Sequence, residues 1–138
     1  MPSQQDHLLL ADHNQQAIEY LLKADPGFPD WITTVAFYKA VHLVEAVLAH
    51  DSGTHSGDHV RRSQYLKTNN RYKQLHLHYG PLKRASEIAR YLQDASGTSY
   101  KSFADYLTLE AVNREMLKHR LHQIELSARH LMQSKPGK

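Results

Sequence analysis

The sequence predicts an all-α protein, an up-and-down four-helix bundle that forms one domain over residues 1–138. Apolar residues recur at helical spacing in four segments, and no segment alternates apolar and polar residues as a half-buried strand would. Short turn-rich stretches separate the four segments, which favours antiparallel neighbours. A chain of 138 residues, 41% of them hydrophobic, is long enough to bury one core.

The first two helices are predicted at about 3–24 and 31–49. Ser3 and Asp6 have the spacing of a capping box, and the segment "DPGFPD" (25–30) ends the first helix because prolines cannot continue it. Asp30 is the expected N-cap of the second helix. That helix is apolar almost all round, which predicts a central position in the bundle.

The third helix is predicted at about 59–94, with interruptions or kinks at "KTNN" (67–70) and "YGP" (79–81). The fourth is predicted at about 102–132, and it starts from a capped turn at Ser102 and Asp105. The last segment, 133–138, is predicted to be a frayed tail.

The charge of the chain favours an anionic partner such as nucleic acid, since the net charge is +3 and the pI is about 9.1. The candidate contacts lie in the small clusters "VRR" and "PLKR" and are Arg61, Arg62, Lys83 and Arg84. A solvated surface is the alternative interpretation. The chain has no cysteine, no secretory signal pattern and no apolar run of roughly 18 residues, which together predict a cytoplasmic protein without a membrane partner.

Eleven histidines raise the question of a metal site. Three pairs are close in sequence: His55 and His59, His76 and His78, and His119 and His122. No HExxH and no paired Glu-x-x-His pattern accompanies them, and close pairs are expected when histidine is this frequent. No metal and no cofactor is therefore predicted. A nucleophile elbow and a glycine-rich phosphate loop are also missing from the sequence.

Three stretches resemble the HEPN superfamily of prokaryotic helical bundles: the helix "AFYKAVHLVEAVLA" (36–49), the loop "GTHSG" (53–57) and the later "ARY" (89–91). One branch of that superfamily has a helix reading A-x-Y-x-A-x-H-x-x-x-A-x-L, then a Thr-His-Ser loop, then an A-[DR]-Y helix. The resemblance covers about residues 30–93. The polar and aromatic positions that fit it include Tyr38, His42, Thr54, His55, Arg90 and Tyr91.

The resemblance implies a four-helix fold that often dimerises. Many HEPN proteins are toxins or defence proteins that cut RNA, and others are inactive partners of nucleotidyltransferases or nucleic-acid-associated modules. The nucleases use an Arg and a later His with four to six residues between them; the Arg would stabilise phosphate charge and the His would manage a proton, with no metal. The branch also often has an Arg shortly before A-[DR]-Y, where this chain has Ser86 and Glu87, with Arg84 displaced.

Arg114 and His119 are the predicted catalytic pair, because they have this spacing in the last helix, where nuclease members usually carry it. The alternatives are Arg71 with His76 or His78, and roughly two such matches are expected by chance. On a regular α-helix, residues five apart point roughly 140° away from each other, so this pair would need a long reach or a dimer. A simpler explanation for Arg114 is an ion pair with Glu110.

The sequence therefore favours a homodimeric, HEPN-like binding or assembly module in a nucleic-acid-related, toxin–antitoxin or defence context. The expected partners are RNA or another nucleic acid, or a protein of the nucleotidyltransferase type. A metal-independent endoribonuclease and a generic helical scaffold are the alternatives. The sequence alone leaves open whether the chain is an enzyme.

Overall fold

The computed structural model describes residues 2–53 and 55–134, and this part of the chain is helical, with an isolated bridge between Gln93 and Ser99 and no strand. Thr54 of the family pattern and residues 135–138 of the predicted tail lie outside the described residues. The described part forms five helices: α1 Gln4–Leu22, α2 Pro29–Ser52, α3 His59–Thr68, α4 Lys73–Tyr91 and α5 at 109–132. Two short 3-10 turns, Asn70–Tyr72 and Phe103–Asp105, lie in the connections.

The start of α1 confirms the predicted capping box. The Ser3 hydroxyl accepts a hydrogen bond from the Asp6 amide at 3.1 Å, and the Asp6 carboxylate accepts one from the Ser3 amide at 2.9 Å. These two bonds satisfy amides that have no partner within the helix. The helix ends at Lys23, just before the "DPGFPD" segment, as predicted.

Helix α2 extends beyond its predicted bounds at both ends. It begins at Pro29, with Phe28 rather than Asp30 as the N-cap, because proline lacks the amide that a first helical turn leaves unpaired. It ends at Ser52, and the C-cap that follows is Gly53, whose φ of 65° suits a residue without a side chain. By length and composition α2 is able to cross a membrane, but 78% of its most apolar window is buried inside the protein.

The predicted third helix is two helices. Asn69 interrupts it with an extended backbone, and its side chain caps the turn that leads into α4, so the break falls within the predicted "KTNN" segment. At the second predicted position α4 is not interrupted, since the helix runs through Gly80 and Pro81. Pro81 has no amide, so α4 lacks one helical hydrogen bond there.

Helix α5 begins seven residues later than predicted. Ser102 caps the 3-10 turn Phe103–Asp105, and Thr108 then caps the helix itself by accepting from the Ala111 amide at 3.1 Å. The helix has three parts: Leu109–Ala111, a π-wound stretch Val112–Leu121, and the regular α-helical His122–Met132. The π winding was not predicted.

Helix α2 is the centre of the protein, as its apolar sequence predicts, and it packs against α1, α4 and α5. One buried charge on α2 ties three helices together, because Lys39 donates to Gln15 on α1 at 2.8 Å and pairs with Glu125 on α5. The core includes side chains at most 1% exposed from each of these four helices, among them Ile18, Phe37, Leu43, Val44, Leu75, Leu82, Ile88, Val112 and Ile124.

Candidate functional site

A carboxylate buried at the centre of the protein organises the polar side chains around it. Glu45 lies on α2 and is 1% exposed. Its carboxylate accepts hydrogen bonds from the Ser56 amide at 3.2 Å, from the Ser56 hydroxyl, and from Arg62 Nε at 2.9 Å. Burial alone would raise the pKa of Glu45, but the bonds from Ser56 and Arg62 outweigh it, and the pKa lies below the ordinary value. Glu45 is therefore a buried anion.

Arg62 on α3 connects this anion to His59. Its Nη1 lies 2.9 Å from His59 Nδ1 and 3.5 Å from the Tyr79 hydroxyl. Because a guanidinium nitrogen only donates, Nδ1 of His59 accepts, and the ring proton resides on Nε2. Burial, and then the charges of Arg62, Arg90 and Lys83, lower the pKa of His59. His59 is thus a neutral imidazole facing three cations.

Three further histidines stack beside Glu45. The His7 ring lies 5.3 Å from that of His42 and 5.3 Å from that of His55, with interplanar angles of 29° and 21°. Nδ1 of His7 and Nδ1 of His42 are 3.0 Å apart, so one of them donates a hydrogen bond to the other. Nε2 of His7 is buried and has no hydrogen-bond partner in the described structure. Burial is the main reason why the pKa values of His7 and His42 lie below the ordinary value.

An open cleft of about 550 Å³ lies along α1 and α5, and a cleft lined by Arg90 and Tyr91 of the family pattern lies beside His59. It has a volume of about 380 Å³, and its lining includes Phe37, His59, Lys83, Glu87, Arg90 and Tyr91. Arg90 donates to the Ser86 carbonyl and hydroxyl, both at 3.2 Å, and to the Tyr38 hydroxyl at 3.4 Å. Within the described residues, Arg90 forms no ion pair with a carboxylate. Its charge is therefore held in place but not neutralised.

The π winding of α5 changes the geometry of the predicted catalytic pair. A π-helix joins residues five apart by hydrogen bonds, so Arg114 and His119 lie on nearly the same side of α5 rather than on opposite sides. Glu115 lies between them, with its carboxylate 3.0 Å from Arg114 Nε and 4.0 Å from His119 Nδ1. Arg114 also pairs with Glu110 at 3.3 Å, as the four-residue spacing suggests. Both members of the pair are exposed to solvent.

The structure also brings together two histidines from different predicted pairs. The rings of His78 on α4 and His119 on α5 meet edge to face, with their centroids 5.4 Å apart. Nη1 of Arg120 lies 3.3 Å from Nδ1 of His78. Burial, and then the charges of Arg120 and His119, lower the pKa of His78. His76, the other candidate on α4, is exposed.

Arg71, the alternative arginine, is used in joining α2 to α5. Its guanidinium makes a bidentate contact to Asp51, at 2.7 and 2.9 Å, and donates to the Leu131 carbonyl at 2.8 Å. The Tyr72 hydroxyl donates to the same carboxylate at 2.6 Å. The Asp51 side chain is 4% exposed, and this set of contacts explains Arg71 without a catalytic role.

The four predicted nucleic-acid contacts have different environments. Arg61 is exposed and Arg62 is the buried partner of Glu45. Lys83 lines the cleft beside His59 and lies 3.7 Å from Glu87. Arg84 pairs with Asp94 at 2.9 Å and lies over the Tyr106 ring.

The family-pattern residues divide between two neighbouring places. Tyr38, Arg90 and Tyr91 meet at the cleft, where the Arg90 guanidinium lies 5.1 Å from the centre of the Tyr91 ring. His42 and His55 belong to the histidine stack, where His55 Nε2 is 3.7 Å from the Glu45 carboxylate.

Two residues of this region were missed by the sequence analysis. Glu45 had a signal, because it is one of few polar interruptions in the most apolar helix. His7 had none, since it lies in α1, far in sequence from the histidines that it meets.

Comparison with protein-family models, curated proteins and solved structures finds no match to this chain.

Proposed function

We propose that this protein is a HEPN-like four-helix binding module that holds the sugar–phosphate backbone of RNA in the cleft beside His59. The observation that supports this most directly is Arg90, a cation fixed at the cleft by Ser86 and Tyr38 and lacking a carboxylate partner among the described residues. A fixed guanidinium that has no carboxylate partner in the described part of the chain, and whose bonds to Ser86 and Tyr38 use three of its five N–H groups, is suited to a phosphate group.

The surroundings of Arg90 favour the same ligand. His59 accepts from Arg62 through Nδ1, so its Nε2–H is free to donate to a phosphate oxygen. The two carboxylates that line the cleft, Glu87 and Asp94, are already engaged by Lys83 and Arg84. Tyr91 is 68% exposed beside Arg90 and offers a flat ring on which a base can stack.

The proposal includes the architecture and the assembly state. We take α1, α2, the α3–α4 pair and α5 as the four members of the bundle, since α2 contacts α1, α4 and α5 and α3 packs against α4. A homodimer is proposed because Trp31, 59% exposed, and Tyr38 lie two turns apart on one side of α2. A nucleotidyltransferase-type partner, a cytoplasmic location and a toxin–antitoxin or defence context belong to the same proposal. Sedimentation of the purified chain tests the dimer.

Fluorescence anisotropy with a labelled single-stranded RNA tests the binding function. We expect binding that weakens as salt rises, and we expect Arg90→Ala to weaken it and to lower the salt slope by about 1. Arg129→Ala is the matched control, because Arg129 is an exposed arginine on α5 that pairs with Glu125 at 3.1 Å. Equal RNA affinities for wild type and Arg90→Ala would overturn the assignment of the cleft.

A metal-independent ribonuclease is the second candidate function, and the π winding of α5 favours it. That winding brings Arg114 and His119 to one side of the helix, and His119 meets the buried His78. Two imidazoles in contact, next to Arg120, offer a proton acceptor, a proton donor and a cation for a ribose 2′-hydroxyl attack. Glu115 opposes this role, since its carboxylate competes with phosphate for Arg114.

The test of this second function is RNA cleavage in EDTA. Wild-type protein should cut, and both His119→Ala and His78→Ala should abolish cutting. His122→Ala is the control, because His122 is exposed on the same helix. Cleavage that survives both substitutions, or no cleavage by the wild type, excludes the ribonuclease at this site while leaving the binding function to its own test.

A further inference from the structure

A second site lies inside the protein, at the face of Glu45 that Arg62 does not occupy. His7, Glu45 and His55 come from α1, from α2 and from the loop that follows α2. Each offers one ligand atom, and these three atoms lie within 4.8 Å of one another. Two imidazole nitrogens and one carboxylate oxygen form the donor set that proteins use for zinc and related divalent ions.

The unpartnered Nε2 of His7 is the observation that points to a ligand. His7 is only 3% exposed, and its Nε2 has no hydrogen-bond partner among the described residues. Buried polar atoms are nearly always paired, so an unpaired one calls for an explanation. If His7 donates through Nδ1 to His42, then Nε2 carries a lone pair that is available to a ligand.

We propose that His7, Glu45 and His55 bind a divalent first-row transition ion, with water completing the coordination. This inference does not depend on the RNA-binding cleft.

The surroundings of the three ligands match those of known metal sites. Imidazole ligands in proteins usually donate their second N–H to a fixed acceptor, and with its proton on Nδ1 His7 has such an acceptor in Nδ1 of His42 at 3.0 Å. The carboxylate is oriented in the same way. Its Oε1 accepts from Arg62 and from the Ser56 hydroxyl, whereas Oε2 accepts from the Ser56 amide at 3.2 Å and faces His55 Nε2 at 3.7 Å.

The ligands must approach one another to hold an ion. Ligand atoms about 2.0–2.2 Å from a tetrahedral zinc lie roughly 3.3 Å apart. The widest separation in this set, at most 4.8 Å, therefore has to shrink by about 1.5 Å. His55 can supply this movement, since it lies in a loop and its side chain is 31% exposed. When His55 coordinates the ion through Nε2, its ring proton moves to Nδ1. Nδ1 then no longer accepts the 3.2 Å hydrogen bond from the Gly57 amide, which binds water instead.

Zinc titration of the EDTA-stripped and desalted chain, followed by calorimetry, tests the site. We expect one tight zinc per chain and a rise in melting temperature, because an ion that binds only the folded state stabilises it. Cobalt in place of zinc should give visible ligand-field absorption. His55→Ala should lose the tight site, the melting shift and the cobalt absorption, and its loop position makes it compatible with folding.

Two more variants separate this site from adventitious binding to surface histidines. His76→Ala removes an exposed histidine outside the cluster and should leave the tight site unchanged. His42→Phe removes the acceptor that orients His7 and should weaken zinc binding about 10- to 100-fold while keeping the stoichiometry. The proposal is overturned if wild type binds no stoichiometric zinc, or if His55→Ala binds it as tightly as His76→Ala does.

Discussion

Replacing Glu45 with glutamine should be among the most destabilising single changes in the protein. The side chains of Glu45 and Arg62 are 1% and 7% exposed, so both charges of the pair are shielded from water. Glutamine keeps the shape of glutamate but leaves the Arg62 charge without its anion. Breaking one half of a buried pair typically costs about 3–5 kcal/mol, against a total stability of about 5–15 kcal/mol.

Urea unfolding of the metal-free protein, followed by circular dichroism, measures this loss. With a slope of about 2 kcal/mol per molar urea, a loss of about 4 kcal/mol lowers the midpoint by about 2 M. Glu110→Gln is the matched control, because Glu110 pairs with Arg114 on the surface at 3.3 Å and its side chain is 86% exposed. That change should stay within about 0.5 kcal/mol.

A double variant provides a sharper test of the same reasoning. Glu45→Leu with Arg62→Met removes both charges and should be more stable than Glu45→Gln alone, because no buried charge is left without a partner. The reasoning would be refuted if Glu45→Gln lowered the midpoint no more than Glu110→Gln does. It would also be refuted if the double variant were less stable than Glu45→Gln.

Three further predictions concern pH, the α2–α5 junction and one backbone position. The pKa of Glu45 in the folded protein lies below its ordinary value of 4.5. The ionised carboxylate therefore contributes fully to the free energy of unfolding above pH 4.5, and this contribution is lost as the pH falls through the folded-state pKa. In urea, the difference in stability between wild type and Glu45→Gln should narrow from about pH 5 downward. Arg71→Ala removes the bidentate contact to Asp51 and should cost about 1.5–3 kcal/mol in the same assay, with Arg129→Ala nearly neutral by comparison. Leu92 ends α4 with a φ of 58°, and this conformation costs a residue that has a side chain about 1 kcal/mol. Leu92→Gly should therefore raise the melting temperature. A lower melting temperature would contradict the strain argument.

Much of the fold was predictable because the helix signals are local. The capping box at Ser3 and Asp6, the break within "KTNN" and the central place of α2 all follow from nearby residues, and the structure confirms each of them. The start of α5 was mistaken for the turn at Ser102, because the same cap chemistry serves a 3-10 turn and a helix. Nothing in the local pattern distinguishes the two.

The candidate sites were less predictable because their members are far apart in sequence. His7 meets His42 across 35 residues, and Arg120 meets His78 across 42. The sequence shows which residues are close within one helix. It does not show which residues of different helices come into contact. The family resemblance includes Tyr38 and Arg90, yet their contact, 52 residues apart, appears only in the folded chain.

In the π-wound stretch of α5, one step between successive buried positions contains one residue more than the three or four residues of a regular α-helix. The buried positions of α5 advance by four, five, three and four residues, at Val112, Met116, Leu121, Ile124 and Ala128. The step of five, from Met116 to Leu121, is where the extra residue lies. Deleting Lys118 would turn that step into an ordinary α-helical step of four and leave the packing on either side in phase. In α2 a deletion would instead rotate every later side chain by about 100°. α5 is thus the helix in which a change of length, rather than of side chain, should be tolerated.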